Sequence, residues 1–73
     1  MHFQIIMDTS GDTRHQFDPE DASTVTEAEK RFRDLVGVGF IAATWTGNGT
    51  SELIRQFDPT AKETLFIPRL VGG

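Results

Sequence analysis

Glu63-Thr64-Leu65-Phe66-Ile67-Pro68-Arg69-Leu70-Val71-Gly72-Gly73 is the stretch on which the fold turns. A charged turn leads into a short apolar run, Thr64 to Ile67, which reads as the last strand. Pro68 stops it, because proline has no N–H for a ladder. Arg69, Leu70 and Val71 then leave the fold, and the chain closes on two glycines. Glycine has no side chain and tolerates most backbone angles. Such an end is thin enough to enter a channel that admits no side chain. It would present the Gly73 α-carboxylate to chemistry inside another protein. Residues 1–68 are therefore expected to form a domain, and residues 69–73 its tail.

Working backwards, a last strand needs a sheet to join. Phe3, Ile5 and Met7 alternate with His2, Gln4 and Ile6, a period of two. Asp8-Thr9-Ser10-Gly11-Asp12 is a turn in which Gly11 can take positive φ, and Thr13 to Phe17 returns as the second strand. Thr24 and Glu27 have capping-box spacing. Val25, Ala28, Phe32 and Leu35 share one face of a helix expected over 25–36, with Gly37 as its stop. Glu27–Arg31 and Lys30–Asp34 are i,i+4 pairs on its wet side. Phe40 to Thr46 and Ser51 to Phe57 read as strands around the turn signal Gly47-Asn48-Gly49. Gln-Phe-Asp-Pro occurs twice, at 16–19 and 56–59, and reads as one strand-ending device used twice: a buried Phe, then an Asp-Pro turn.

The order β-β-α-β-β-β predicts an α+β fold, a mixed sheet with one helix packed on one face. The first and last strands pair in parallel at its centre, since the helical crossover returns the chain in the same direction. Phe3, Ile5, Val25, Phe32, Leu35, Leu65 and Ile67 are expected to form the core between helix and sheet.

The 73 residues make one domain with a modest core. There is no cysteine, which excludes disulfides, thiolate metal sites and a cysteine nucleophile. Small secreted domains usually carry disulfides, so a cytoplasmic home is expected. No apolar run suggests a membrane span or signal peptide. The formal charge of −4 disfavours nucleic acid as a partner. His2 and His15 have no further ligands at metal-binding spacing. The acids around residues 8–12 and 18–21 read as solvated turn residues, so no enzyme is expected. Trp45, the single tryptophan, is read as a partner-binding anchor, with a place in the core as the competing reading.

The chain resembles the ubiquitin-like β-grasp superfamily. The resemblance rests on the hairpin from the start of the chain, the helix after an Asp-Pro turn, and the closing segment. Ubiquitin's end is similar at Thr64-Leu65, Arg69-Leu70 and Gly72-Gly73, although Pro68 is foreign to it and Val71 stands where it has arginine. The closing segment is also similar to the small subunit of molybdopterin synthase, which Phe66, Ile67, Pro68, Leu70 and Gly72-Gly73 match without a gap. The thiamine-pathway sulfur carrier is a third relative.

The resemblance implies that Gly73, behind Gly72, is adenylated by a ubiquitin-activating, ThiF-type enzyme, with Arg69, Leu70 and Val71 guiding the tail. ATP would be used by that partner, and the chain would need no cofactor of its own. A modifier would pass to target proteins through a conjugating enzyme and be removed by a JAB-type protease. A sulfur carrier would end in a thiocarboxylate. The reading leans to the modifier, on Arg69-Leu70 and on the Gly-Asn-Gly hairpin carrying Trp45. The sulfur carrier and a plain protein-interaction domain are the alternatives.

Overall fold

Alternation in the first seventeen residues becomes a hairpin. In the computed structural model, which describes residues 1–45 and 49–69, β1 (His2–Asp8) pairs antiparallel with β2 (Gly11–Phe17), with Asp8 opposite Gly11. Gly11 takes φ +125° at the turn, a conformation open to glycine and strained for other residues. The chain continues through α1 (Ala22–Gly37), β3 (Phe40–Trp45), β4 (Ser51–Ile54) and β5 (Glu63–Pro68). The five strands form one mixed sheet in the order β2-β1-β5-β3-β4. β5 lies at its centre, parallel to β1 and antiparallel to β3. This is the expected α+β fold, in a β-grasp-like arrangement.

Both Asp-Pro copies form the same turn. The Asp18 carboxylate accepts from the Glu20 N–H at 2.9 Å, and that of Asp58 accepts from the Thr60 N–H at 2.9 Å. In each, the backbone N–H three residues on closes back to the aspartate carbonyl, from Asp21 at 3.0 Å and from Ala61 at 3.3 Å. The two preceding phenylalanines, Phe17 and Phe57, meet with ring centroids 5.7 Å apart. Phe57 falls after β4 rather than inside it, because that strand ends at Ile54.

α1 begins earlier than the capping-box spacing suggests. Asp21 is the N-cap, accepting from the Ser23 N–H at 3.0 Å. Thr24 instead ties the helix to the preceding turn, accepting from the Asp18 N–H at 3.0 Å and donating to the Asp18 carbonyl at 2.8 Å. Lys30 and Asp34 form the expected exposed ion pair at 3.0 Å. Arg31 does not pair with Glu27. It crosses to the sheet, where its Nη1 donates to Gln4 Oε1 at 2.8 Å, while Gln4 Nε2 donates to the Ala28 carbonyl at 2.9 Å.

Gln4 is fully buried, so this bridge matters. A buried polar group costs free energy unless it is hydrogen-bonded. Arg31→Ala would leave Gln4 Oε1 without its donor and is expected to destabilise the domain by about 1–3 kcal/mol. Much of that loss should disappear in a Gln4→Met background, which a chemical-denaturation double-mutant cycle checks.

The helix stop differs from the expectation in detail. Gly37 is the last helical residue, and the positive φ, +109°, falls on Gly39. The Val38 and Gly39 N–H groups close onto the Asp34 and Val36 carbonyls, each at 3.1 Å. A Cβ at Gly37 would meet nothing within 4 Å. Gly37→Ala is therefore expected to raise stability by about 0.5–1 kcal/mol, by lowering the entropy of the unfolded chain. Gly39→Ala should lower stability because of its φ, and melting temperatures of the two variants test the contrast.

The core is built on the opposite strand parity from the one expected. Phe32, Ala42 and Phe66 form its centre, with Ile6, Leu35, Val36, Phe40, Ile54 and Phe57 packed around them. The Phe32 ring lies 5.7 Å from Phe66 and 5.9 Å from Phe57, centroid to centroid. Ile6 and Phe66 face the helix. By strand alternation, Phe3, Ile5, Leu65 and Ile67 therefore lie on the other face of the sheet, where Ile5 is nonetheless buried, as expected of a core residue. β1 and β5 are central strands flanked on both edges, and they are apolar at both parities. A period of two cannot choose between faces when both carry apolar residues. The helix residues fall where expected, with Ala28 and Phe32 buried and Val25 and Leu35 partly buried.

Stability should depend on pH in two windows. Burial, and then the Arg31 charge, hold His15 below its ordinary value of 6.5. A group depressed on folding contributes stability that is present above its unfolded pKa and lost as pH falls through its folded one. Hydrogen bonds from Ser10, Ser23 and Thr60 hold Asp8, Asp21 and Asp58 below 3.8. The same sign applies to them, in a more acidic window. The melting temperature is thus expected to fall as pH drops below about 6.5, and again below about 4. His15→Gln should reduce only the first fall.

Candidate functional site at the exit of the last strand

β5 delivers the end of the chain. Its side chains reach in two directions, Thr64 and Phe66 toward the helix and Leu65 and Ile67 toward the opposite face. Phe66 is fully buried and anchors the strand. Its neighbours β1 and β3 hold the backbone on both edges. The ladder with β3 runs to Phe40 opposite Pro68. Arg69 follows, outside the strand and exposed. Arg69 therefore stands just past the end of the central strand. The remaining tail residues read as functional from the sequence, Leu70, Val71, Gly72 and Gly73, lie outside the described residues.

Around that exit lies a groove of about 510 Å³, lined in part by Phe40, Ile41, Leu53, Ile54, Arg55 and Arg69. It sits where β3 begins and β4 ends. Ile41 pairs with Ile67 across the ladder, and Leu53 pairs with Ala43 one step along. These are outer-face positions, and they are unusually open for large apolar side chains. Ile41 is 39 % exposed, Ile67 42 % and Leu53 73 %. Arg55 and Arg69 supply the charge. Among the described residues neither makes a hydrogen bond or ion pair.

Trp45 lies elsewhere. It ends β3 at the far end of that strand from Phe40, five residues on, or about 17 Å along the sheet. It is 45 % exposed and stands outside the Phe32 cluster. There it lines a separate cleft of about 640 Å³ with Met1, Phe3, Asp58 and Glu63. The structure thus does not bring Trp45 and Arg69 together. A common binding surface would have to span most of the sheet.

Ile41, Leu53 and Ile67 on the outer face, and Arg55, which shares the groove with the Arg69 expected from the sequence, are the part of the site that the sequence did not reveal. The signal was present in the second parity of β3 and β5, but it is visible only once the face covered by the helix is known.

The described residues lining the groove include no carboxylate, imidazole or hydroxyl side chain. Among the described residues no three His, Cys, Asp or Glu side chains cluster as a metal site. No described helix is long and apolar enough to cross a membrane. Comparison with known proteins finds no matching family model, no similar curated protein and no similar solved structure.

Proposed function

We propose that this chain is a ubiquitin-like protein modifier that works through a carboxylate at Gly73. A carboxylate oxygen of Gly73 attacks the α-phosphorus of ATP in the active site of an activating enzyme. The bond to pyrophosphate breaks, leaving an acyl-adenylate. A partner thiol then displaces AMP to give a thioester, and a target amine displaces the thiol to give an amide. The observation that carries the reading is the Gly72-Gly73 sequence following a central strand anchored by Phe66 and ended at Pro68. A rigid body with a slender end suits a partner that grips the one and reacts with the other. Arg69, Leu70 and Val71 would contact the mouth of the channel and Gly72 its narrow part. Trp45 is assigned to contact with a partner on the separate cleft at the far end of the sheet.

The ubiquitin-like assignment brings with it an activating enzyme of the ThiF type, a conjugating enzyme, a JAB-type protease and a cytoplasmic setting. The chain itself would be a substrate, not an enzyme, with ATP used by the activating partner.

A second reading, the sulfur carrier, is favoured by the Phe66-Ile67-Pro68 register and its spacing to Gly72-Gly73. There hydrosulfide displaces AMP and leaves a thiocarboxylate. Intact-mass measurement of the protein isolated from its native host separates the two. A gain of about 16 Da, sulfur for oxygen, marks the carrier, and attachment to a protein amine marks the modifier. A chain found only unmodified, with or without ATP and host extract, would count against both.

A further inference from the structure

β4 is an edge strand, paired with β3 on one side and ending the sheet among the described residues. Exposed edges are ordinarily blunted by lysine, proline or a bulge. This one reads Ser51-Glu52-Leu53-Ile54, and Leu53 is the most exposed large apolar side chain on any of the described strands. Beside it lies the exit groove, whose apolar lining includes Ile41 and Leu53 along with Phe40 and Ile54. Arg55 and Arg69 stand at the same end, with no carboxylate among the groove's lining residues. In a chain of formal charge −4 this is a local reversal of sign. Glu52, the one acid on β4, is turned away from it and lines the separate cleft beside Trp45.

We propose that the β4 edge and this groove bind an extended segment of a partner protein, apolar along its length and acidic at one end. The segment adds as a sixth strand beside β4. Its apolar side chains cover Leu53 and Ile41, and its carboxylates meet Arg55 and Arg69. Backbone pairing supplies the general attraction, and alternate side chains with the terminal charges set specificity. Charge complementarity selects this occupant. A basic or neutral segment would bring neither guanidinium group a carboxylate, and the groove's described lining holds none. The inference does not depend on the chemistry at Gly73, and its test uses neither ATP nor an activating enzyme.

The test is amide NMR on the full chain with two synthetic peptides. One carries alternating valine and threonine followed by a run of aspartates, and its twin ends in lysines instead. The acidic peptide should shift the amides of Ser51 to Arg55 and of Ile41. Binding should weaken about tenfold in an Arg55→Glu, Arg69→Glu double variant whose melting temperature is unchanged. It should also weaken when salt shortens the Debye length from about 10 Å toward about 3 Å. Three results would overturn the proposal. They are equal binding of the lysine peptide, shifts centred on the other sheet edge at β2, and no shifts at millimolar peptide. Concentration-dependent shifts of the same amides without peptide would assign the edge to a second copy of this chain, and would overturn it as well.

Discussion

Phe32→Ala is expected to lose about 3–5 kcal/mol of folding stability. Phe32 is 2 % exposed and touches two other aromatic rings of the core, Phe57 and Phe66. It links the helix to the central strand β5 and to the second Asp-Pro turn at once. Truncation removes the ring and leaves a cavity that three separate elements would have to close together. For 73 residues, total stability of the usual size is only about 4–11 kcal/mol. The variant should therefore be largely unfolded on modest heating. The paired control is Ile67→Ala on the other face of β5. That side chain is 42 % exposed, so its loss should cost much less. Urea midpoints of the two variants decide whether the core lies on the Phe66 face or on the face the alternation first suggests.

Replacing Gly72 by tryptophan is expected to abolish activation of the tail while leaving the melting temperature unchanged. The two effects are expected to separate because the described ladder of β5 runs to Pro68 and Gly72 belongs to the tail read from the sequence. The obstruction would arise in the partner, where a bulky side chain cannot follow the backbone through a narrow channel. Gly72→Ala should fall between the two, with slowed activation. A matching loss of stability in either variant would place Gly72 in the fold and remove it as a guide.

The element order and sheet topology could be read from the sequence because the punctuation is strong. Gly11, the two Asp-Pro pairs, Gly37 to Gly39 and Pro68 bound the elements closely. The helical crossover between the two halves fixes β1 and β5 as parallel neighbours. The face of each central strand could not be read. Ile5 and Ile6, and then Leu65, Phe66 and Ile67, are apolar whichever way the strand is turned. The deciding residue, Gln4, is polar. Its burial depends on a donor, Arg31, that lies 27 positions away and reaches it only in the folded state. Arg31 was equally ambiguous, since i,i+4 spacing to Glu27 supplied a local partner that the tertiary bridge displaces. At the candidate site, Arg69 and the strand stop at Pro68 were readable as a strand end. The groove was not, because it joins residues from α1, β3, β4 and the segments that flank them, which no sequence window contains.

The claim on which the account rests is that the Gly73 carboxylate is the reacting group. ATP–pyrophosphate exchange tests it most directly, run with an adenylating enzyme of the ubiquitin-activating type purified from the native host. The full chain and a variant lacking Gly72 and Gly73 would be compared under the same conditions, with melting temperatures to show that both are folded. Exchange is expected with the full chain and none with the shortened one. Equal exchange rates for the two would contradict the claim.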